Sequence, residues 1–335
     1  MLSNSSKIQF SVITPVYNRP DELDELLLSL SKQTITDFEV VIIEDGSTQK
    51  SDQVVEKYQS ILEIKYYFKE NTGPGKSRNY GCERASGNYF LFFDSDCIIP
   101  QDYFSITTKF LDKTYYDCFG GPDAAHEDFN NLQKAISYSM TAFLTTGGIR
   151  GSSETVEKFN PRSFNMGFSK EVFEKTGGFP TIRFAKAKAC GEDLDLSLQI
   201  SKLGFSTTLI KKAFVYHKRR TNLKQFKNQV MNFGFARITI AKRHPGSLKI
   251  MHFAPAVFLL GCALLIVLSI FVSKFFVLPI LVHVALIFLD SSIKNKSISI
   301  GFLSVITSYI QLLGYGFGFL RSIWVQKVLR STEFG

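Results

Sequence analysis

Residues 8–47 read IQFSVITPVYNRPDELDELLLSLSKQTITDFEVVIIEDGS, and this stretch decides the fold. The apolar run at 8–14 ends at a proline, and a second apolar run at 38–43 ends at an acidic turn. Continuous apolar runs of this length indicate strands buried on both faces of a parallel sheet. Leucines between the runs recur with the spacing of one helix face, so the stretch predicts a strand, a crossover helix and a second, parallel strand.

The alternation of strands and helices continues as far as residue 93. We expect a helix at 51–59, a strand at 64–68, a helix at 75–85 and a strand at 89–93. This pattern predicts an α/β fold with an open sheet that binds ligands at the carboxyl ends of its strands. Residues 100–215 are richer in glycine and aromatic residues, and we expect them to form the second half of the same domain, which spans 1–220.

The C-terminal third of the chain is predicted to enter a membrane. Two runs of 24 residues, one after Lys249 and one after Lys296, carry no formal charge and are long enough to cross a bilayer as helices. The apolar run between them, at 275–289, has only 15 residues, so two or three crossings remain open. We assign 251–323 to a transmembrane region and 324–335 to a C-terminal tail.

A basic segment precedes the first apolar run: it holds twelve lysines and arginines and no acidic residue after Asp195. Such a segment is typical of the cytoplasmic side of a membrane, although nucleic-acid binding is an alternative explanation of its charge. We predict an amphipathic helix at 222–243, lying on the membrane surface within an interface segment at 221–250, with an ordinary solvated helix as the alternative. The N-terminus is too polar for a secretory signal, so we expect a multi-pass protein of the cell (inner) membrane with a cytoplasmic first domain.

Patterns that the chain lacks disfavour several functions. Its five cysteines are widely spaced and form no CxxC pair, which indicates neither a disulfide framework nor a zinc knuckle. No GxGxxG follows the first strand, so an oxidoreductase that binds a dinucleotide is disfavoured. The loop at 71–79 does not match GxxxxGK[ST], so a nucleotide-hydrolysing phosphate loop is not supported.

Acidic residues follow two of the predicted strands. Asp94 and Asp96 flank Ser95 directly after the strand at 89–93, and two carboxylates this close can hold a divalent cation, although acidic pairs are also common in solvated turns. Glu44 and Asp45 end the strand at 38–43, where an acidic side chain can accept hydrogen bonds from a base or ribose. A plain turn is the alternative for this second pair.

Two further groups lie at predicted helix starts. Lys76 and Arg78 belong to a glycine-bearing loop that opens a helix, a geometry suited to phosphates. Three acidic residues lie at the N-terminal end of a predicted helix at 193–202, namely Glu192, Asp193 and Asp195. One of their carboxylates could serve as general base. Capping of the helix is the alternative, and it explains one acidic residue more readily than three.

The last candidate group ends a predicted strand near residue 217. The imidazole of His217 can ligate a metal, and a structural histidine is the alternative. Arg219 and Arg220 can offset the charge of a diphosphate leaving group.

In this order, the motifs resemble those of the family 2 glycosyltransferases of the GT-A fold. The similarity covers residues 8–240 and rests on an ordered set of motifs: Thr14-Pro15-Val16-Tyr17-Asn18-Arg19, Glu44-Asp45-Gly46-Ser47, Gly75-Lys76-Ser77-Arg78-Asn79, Asp94-Ser95-Asp96, Asn165-Met166-Gly167-Phe168 before Gly177-Gly178-Phe179, and Glu192-Asp193. The resemblance implies a Rossmann-like nucleotide-binding domain, a nucleotide-sugar donor and a divalent metal, Mn²⁺ or Mg²⁺.

The resemblance also implies a role for each candidate residue. Ten residues would contact the nucleotide sugar: Pro15, Tyr17, Asn18, Arg19, Glu44, Asp45, Lys76, Arg78, Asp94 and Ser95. Asp96 and His217 would hold the metal, and Arg219 and Arg220 would contact the leaving group. Asp193 is the first choice for the general base, Glu192 is the alternative, and Asp195 is expected to cap or orient.

Two departures from the family narrow the function. The stretch 229–237 has the Gln and an Arg of the QxxRW motif of processive synthases but no Trp, and residues 94–98 read DSDCI where dolichyl-phosphate-mannose-type enzymes show DADLQ. We therefore expect an inverting, metal-dependent hexosyltransferase that uses a nucleotide sugar, most simply a UDP-sugar, and a lipid-linked or membrane-proximal saccharide acceptor in surface polysaccharide or glycolipid synthesis. The alternatives are a polyprenyl-phosphate glycosyltransferase and a non-catalytic, membrane-anchored subunit that binds nucleotide sugars; we expect no nucleic-acid partner.

Overall fold

The computed structural model describes residues 7–124, 129–146, 159–180 and 191–327, and these form two compact units. The first unit comprises 7–124, 159–180 and 192–217, and the second comprises 129–146, 191 and 218–327. Cys190 and the tail from 328 onward lie outside the described residues.

A mixed sheet of seven strands organises the first unit, in the order β3-β2-β1-β4-β8-β6-β9. Its strands are β1 (Phe10–Val16), β2 (Phe38–Asp45), β3 (Glu63–Lys69), β4 (Tyr89–Phe92), β6 (Cys118–Gly120), β8 (Met166–Ser169) and β9 (Thr207–Leu209). The first four strands are parallel, whereas β8 runs antiparallel to both of its neighbours. The predicted α/β fold with its parallel strands is therefore confirmed.

The register of the parallel strands brings their carboxyl ends to one edge. Val16 pairs with Glu44, and Asp45 pairs with Lys69, so the first three strands end almost level. β2 and β4 lie on opposite sides of β1, and ligands bind in α/β sheets at points where the strand order reverses in this way. The candidate residues that follow these strands therefore share one edge of the sheet.

A second sheet of three short strands lies in the same unit, with β10 (Val215–His217) between β5 (Cys97–Ile98) and β7 (Asp123–Ala124). β10 pairs antiparallel with β5, and this register sets His217 opposite Cys97. His217 is thereby carried to the acidic turn that follows β4.

Helices cover both faces of the large sheet because consecutive strand residues point to opposite sides. On one face, Val12 packs with leucines of α1 (Pro20–Leu30) and with residues of α2 (Asp52–Glu56) and α4 (Tyr103–Lys113). On the other face, Ile13 packs with residues of α3 (Pro74–Cys82), α7 (Lys170–Thr176) and α8 (Glu192–Lys202). The apolar runs of the strands thus fill two separate hydrophobic layers.

The second unit consists of helices: α5 (Asn131–Thr141), α6 (Phe143–Thr146), α9 (Leu223–Arg243), α10 (Ala254–Phe271), α11 (Leu278–Asn295) and α12 (Ile298–Lys327). Three stretches are long and apolar enough to cross a membrane, namely Ile250–Phe271, Lys274–Asn295 and Ile298–Gln326. The middle stretch exceeds its 15-residue apolar run because its helix continues through polar residues, where Asp290 and Lys294 form an ion pair of 2.9 Å.

α9 has almost the bounds predicted for an amphipathic helix, but its apolar face does not lie open to a membrane. Phe226 and Val230 are fully buried within the unit, and the helix packs on α12. Glycines allow this close approach, since a Cβ added to Gly234 would lie 2.1 Å from the carbonyl oxygen of Tyr315, and one on Gly318 would lie 2.0 Å from that of Met231. α12 therefore covers the face that we expected to meet lipid.

α5 and α6 depart from the expectation that 100–215 forms one half of a single domain, because they belong to the second unit. Ile136 and Met140 of α5 pack against Phe226 and Val230 of α9. The hydroxyl of Thr307 in α12 also donates a hydrogen bond of 3.0 Å to the carbonyl of Ala135. The apolar face of α5 thus finds its partners in the C-terminal helices.

Candidate active site

Asp96 and His217, the two residues that the resemblance assigns to a metal, lie close together at the edge of the sheet. Nε2 of His217 lies 3.1 Å from Oδ1 of Asp96 and 3.9 Å from Oδ2 of Asp94. The Phe164 ring stacks on the imidazole with its centroid 4.7 Å away, which fixes the ring plane. The pairing of β10 with β5 and this aromatic contact hold the imidazole against the two carboxylates.

The donor set fits a hard divalent ion such as Mn²⁺ or Mg²⁺. Neighbouring ligands on an octahedral ion with bonds of about 2.1 Å stand about 3.0 Å apart, close to the separation of the Asp96 and His217 atoms. Cys97 offers a third atom within 4.8 Å, but burial raises the pKa of its thiol well above the usual value, and its Sγ donates to the carbonyl of Phe164. The thiol thus stays protonated, and the carboxylate and imidazole are the usable ligands.

Two arginines neutralise the acidic turn after β4. Arg19 lies 3.1 Å from Oδ2 of Asp96 and 2.7 Å from Glu22, and Arg78 lies 2.6 Å from Oδ1 of Asp94. Ser95 is buried between the two carboxylates. The sequence motifs placed Arg19, Arg78, Asp94 and Ser95 at the nucleotide sugar and Asp96 at the metal, whereas Glu22 was not singled out. The structure gathers these residues around one turn.

Asp45 shapes the loop that leads into α3. Its two carboxylate oxygens accept hydrogen bonds of 2.9 Å from the backbone N–H groups of Thr72 and Gly73, and the same carboxylate pairs with Lys69. Sequence reasoning missed Lys69, whose position at the end of β3, directly opposite Asp45, was the available signal. Glu44 is fully buried and accepts from the hydroxyl of Ser47, so it shapes the preceding turn.

Asn18 joins the ends of β1 and β2. Its Oδ1 accepts hydrogen bonds from the backbone N–H groups of Thr48 (2.8 Å) and Gln49 (2.9 Å), and its own N–H donates to Oγ of Ser47 (2.7 Å). The residue adopts a φ of 54°, a left-handed conformation that asparagine tolerates better than most side chains. Tyr17 beside it is 52% exposed, and Pro15 lies within β1.

Glu192 begins α8, and its carboxylate lies against the start of α3, the helix that carries two of the predicted phosphate contacts. The backbone N–H of Gly75 donates to its carboxylate, and burial raises the pKa of Glu192 to about 7, against the opposing charge of Arg78. A Cβ on Gly75 would lie 2.5 Å from Oε2 of Glu192, so glycine is needed for this approach. Arg78 is buried on the same helix, whereas Lys76 is exposed.

Asp193 and Asp195 differ in their surroundings although both lie in the first turn of α8. Asp193 is partly exposed, with Oδ2 at 3.7 Å from an Nη1 atom of Arg162, whereas Asp195 is fully buried. Sequence reasoning did not single out Arg162. Arg219 and Arg220 belong to the second unit, so their contact with a leaving group stays a prediction.

Comparison with known families shows to which protein family the first unit belongs. Residues 11–177 match the family described as Glycosyl transferase family 2. The chain carries a family 2 glycosyltransferase domain. Its fold is that of the GT-A glycosyltransferases, as the motifs implied.

Several proteins are similar to parts of the family 2 domain. The poly(ribitol-phosphate) β-N-acetylglucosaminyltransferase TarS of Staphylococcus aureus is 41% identical over 114 residues, which are 33% of this chain and 20% of TarS. Glycosyltransferase GlyA of Streptococcus pneumoniae is 40% identical over 96 residues, 28% of this chain and 14% of GlyA. The chain thus spans a fifth or less of the length of these two relatives.

Solved structures resemble the chain over most of its length. The mannosyltransferase PcManGT of Pyrobaculum calidifontis, in complex with GDP-Man and Mn²⁺, has a TM-score of 0.64 at 18% identity and covers 96% of this chain and 88% of its own. S. aureus TarS 1–349 in complex with UDP-GlcNAc has a TM-score of 0.50 at 21% identity and covers 94% and 92%. At these identities the similarity establishes the fold of the family 2 domain.

Proposed function

We propose that the chain is an inverting, metal-dependent glycosyltransferase that moves a hexosyl group from a nucleotide sugar to a lipid-linked or membrane-proximal saccharide. The observation that carries this proposal is the convergence of two acidic groups on Arg78. Its guanidinium pairs with Asp94 at 2.6 Å, and its charge acts on Glu192 next to Asp193. A donor diphosphate and a general base would therefore lie on either side of one cation.

The donor would bind at the edge formed by β1, β2 and β4. The base and ribose would lie among Asp45, Asn18 and the exposed ring of Tyr17. The buried Glu44 would support this surface through its hydrogen bond with Ser47. Lys76 is free to extend toward a phosphate from the start of α3. UDP-GlcNAc in TarS and GDP-Man in PcManGT support a nucleotide sugar as donor here, and we propose a UDP-sugar.

Asp96 and His217 would hold the metal, Mn²⁺ or Mg²⁺. When bound, the ion would supply positive charge beside the departing diphosphate. Arg19 keeps Asp96 oriented through its ion pair, and the Phe164 ring keeps His217 in plane. We propose that Arg219 and Arg220 add charge at the same diphosphate.

Asp193 is the proposed general base. The acceptor hydroxyl oxygen would form a bond to the anomeric carbon as the bond to the diphosphate oxygen breaks, and the hydroxyl proton would pass to the carboxylate of Asp193. The partial exposure of Asp193 lets an acceptor reach it, whereas Asp195 is fully buried and suited to orienting the start of α8. Burial raises the pKa of Glu192 to about 7, so this side chain can take up a proton near neutral pH, which would keep the site from gathering excess negative charge.

The acceptor is proposed to lie at a membrane. Three helices with the length and composition of membrane spans support this placement, and one relative is a poly(ribitol-phosphate) β-N-acetylglucosaminyltransferase. The excess of Lys and Arg before the first span supports a catalytic domain on the cytoplasmic side of the cell (inner) membrane. Synthesis of a surface polysaccharide or glycolipid would take place there.

The test is turnover by the full chain purified in detergent. A panel of UDP-, GDP-, dTDP- and CMP-sugars is incubated with Mn²⁺, Mg²⁺ or EDTA, and release of the nucleotide is measured. We expect one donor to be consumed only with metal, with activity lost in Asp96→Asn and Asp193→Asn and retained in the exposed control Glu174→Gln. Folded protein that neither binds nor consumes any nucleotide sugar would overturn the proposal.

A further inference from the structure

A tight turn at residues 161–165 contacts both halves of the proposed site. The turn closes by a hydrogen bond of 2.9 Å from the backbone N–H of Asn165 to the carbonyl of Arg162. One side of it carries Phe164, whose ring stacks on His217. The other side carries Arg162, whose guanidinium lies 3.7 Å from the carboxylate of Asp193.

Buried hydrogen bonds hold this turn rigidly. Asn165 is fully buried, its Oδ1 accepts from the hydroxyl of Tyr103 at 2.6 Å, and its Nδ2 donates to the carbonyl of Ala213 at 2.8 Å. The hydroxyl of Ser197 in α8 donates to the carbonyl of Pro161 at 2.8 Å. The helix that bears Asp193 and the turn that bears Arg162 are therefore tied together.

Arg162 places a cation 3.7 Å from the carboxylate of Asp193, on the side of the site that faces the acceptor in the proposed function. The cations on the donor side are engaged by other acids, Arg19 by Asp96 and Arg78 by Asp94. Arg162 makes only a long ion pair with Asp193, so its charge remains available to an anion on the acceptor.

The side chain of Arg162 is suited to receive such an anion. It is 38% exposed, and its nitrogen stands beyond hydrogen-bond distance from Asp193, so the guanidinium retains donors that can turn toward a ligand. A planar guanidinium binds phosphate oxygens through two parallel hydrogen bonds. Any phosphate that it binds must lie within a few bonds of the hydroxyl that faces Asp193.

We propose, on the basis of the glycosyltransferase function above, that Arg162 binds a phosphate group of the acceptor next to the attacking hydroxyl. The acceptor is then a phosphorylated polyol or sugar, as a phosphodiester polymer or a phosphate-linked lipid would present it. Arg162 selects this acceptor and exchanges its ion pair with Asp193 for one with the phosphate. The rigid turn fixes the spacing between the hydroxyl and the phosphate.

The experiment compares matched acceptors with and without phosphate. Full-length protein in detergent receives the donor found in the panel together with ribitol or ribitol 5-phosphate, and glycerol or sn-glycerol 3-phosphate. Transfer is measured for wild type, Arg162→Gln, Arg162→Lys and the control Lys109→Gln, an exposed cation on α4. Hydrolysis of the donor by water is measured in parallel, because water carries no phosphate.

We expect wild type and Lys109→Gln to prefer the phosphorylated acceptors by about tenfold to a hundredfold in kcat/KM. This range corresponds to the contribution of one hydrogen bond between charged groups. Arg162→Gln should lose this preference through a higher KM for the phosphorylated acceptors, whereas Arg162→Lys should keep part of it. Donor hydrolysis by the Lys109→Gln control should match that of wild type. An equal preference in Arg162→Gln, or no preference in wild type, overturns the assignment of Arg162. Absence of donor turnover in folded wild type would instead overturn the glycosyltransferase function itself.

Discussion

Replacing the partly buried carboxyl of Glu192 by an amide should stabilise the protein, and more so at high pH. Burial raises the pKa of Glu192 from 4.5 to about 7, despite the nearby charge of Arg78 and the hydrogen bond from the N–H of Gly75. Between these two values the native state holds a proton that the unfolded chain has released. The free energy of unfolding therefore falls as pH rises through this window, because ionisation in the native state is costly.

The size of the effect follows from the shift. Each pKa unit corresponds to about 1.4 kcal/mol, so the carboxylate costs about 3 kcal/mol near pH 8 and about 1.4 kcal/mol near pH 5.5. Glu192→Gln removes this cost and retains an oxygen that can accept from Gly75. We expect the variant to melt about 6–12 °C above wild type near pH 8, and less than half as far above it near pH 5.5.

Scanning calorimetry of the full chain in detergent measures both values without a pH-sensitive dye. Labelling of the buried thiols of Cys82, Cys97 and Cys118 after heating assigns the transition to the first unit. Glu174→Gln, which removes an exposed carboxylate from α7, should show no such pH-dependent gain. A Glu192→Gln protein that is equally or less stable than wild type at both pH values would show that ionisation of Glu192 does not destabilise the native state.

Three further substitutions test the packing and the loops by calorimetry or by donor titration. Gly234→Ala should destabilise the protein by about 1–3 kcal/mol because its Cβ would clash with a backbone carbonyl of α12, whereas Gly261→Ala, with open space around it, should not. Asn79→Ala should cost about 2 kcal/mol, because the amide exchanges two hydrogen bonds of 2.8 Å with the backbone of Phe179. Asp45→Asn should weaken donor binding about tenfold, because only one oxygen remains to order the loop before α3.

The parallel half of the sheet could be predicted because each of its strands is marked by the sequence of that strand and of its immediate neighbours. The runs at 8–14 and 38–43 are apolar over their whole length and end at turn residues, and the leucines between them mark one helix face. The same local pattern placed Asp45, Asp94 and Asp96 at strand ends. The parallel register then brought these ends to one edge, which general rules for α/β sheets already imply.

The rest of the fold depends on contacts that no local pattern records. β10 has three residues and pairs with a strand of two, so only the family resemblance, and no local pattern, placed His217 beside Asp96. α5 carries an ordinary amphipathic pattern, which predicts a buried face but not its partner. Arg162 belongs to none of the recognised motifs. It lies near Asp193 because its turn is held in place by the buried side-chain amide of Asn165.

Arg78 links the two acidic groups of the site and thereby couples donor binding to the base. Its guanidinium pairs with Asp94 at 2.6 Å and its charge opposes the rise in the pKa of Glu192, so a diphosphate that binds Arg78 would weaken both interactions. Glu192 is the group that can yield, since its pKa already lies near neutrality and a proton removes its need for a cation. A donor that engages Arg78 would thus favour protonated Glu192 and leave Asp193, paired with Arg162 rather than Arg78, as the carboxylate that faces the acceptor.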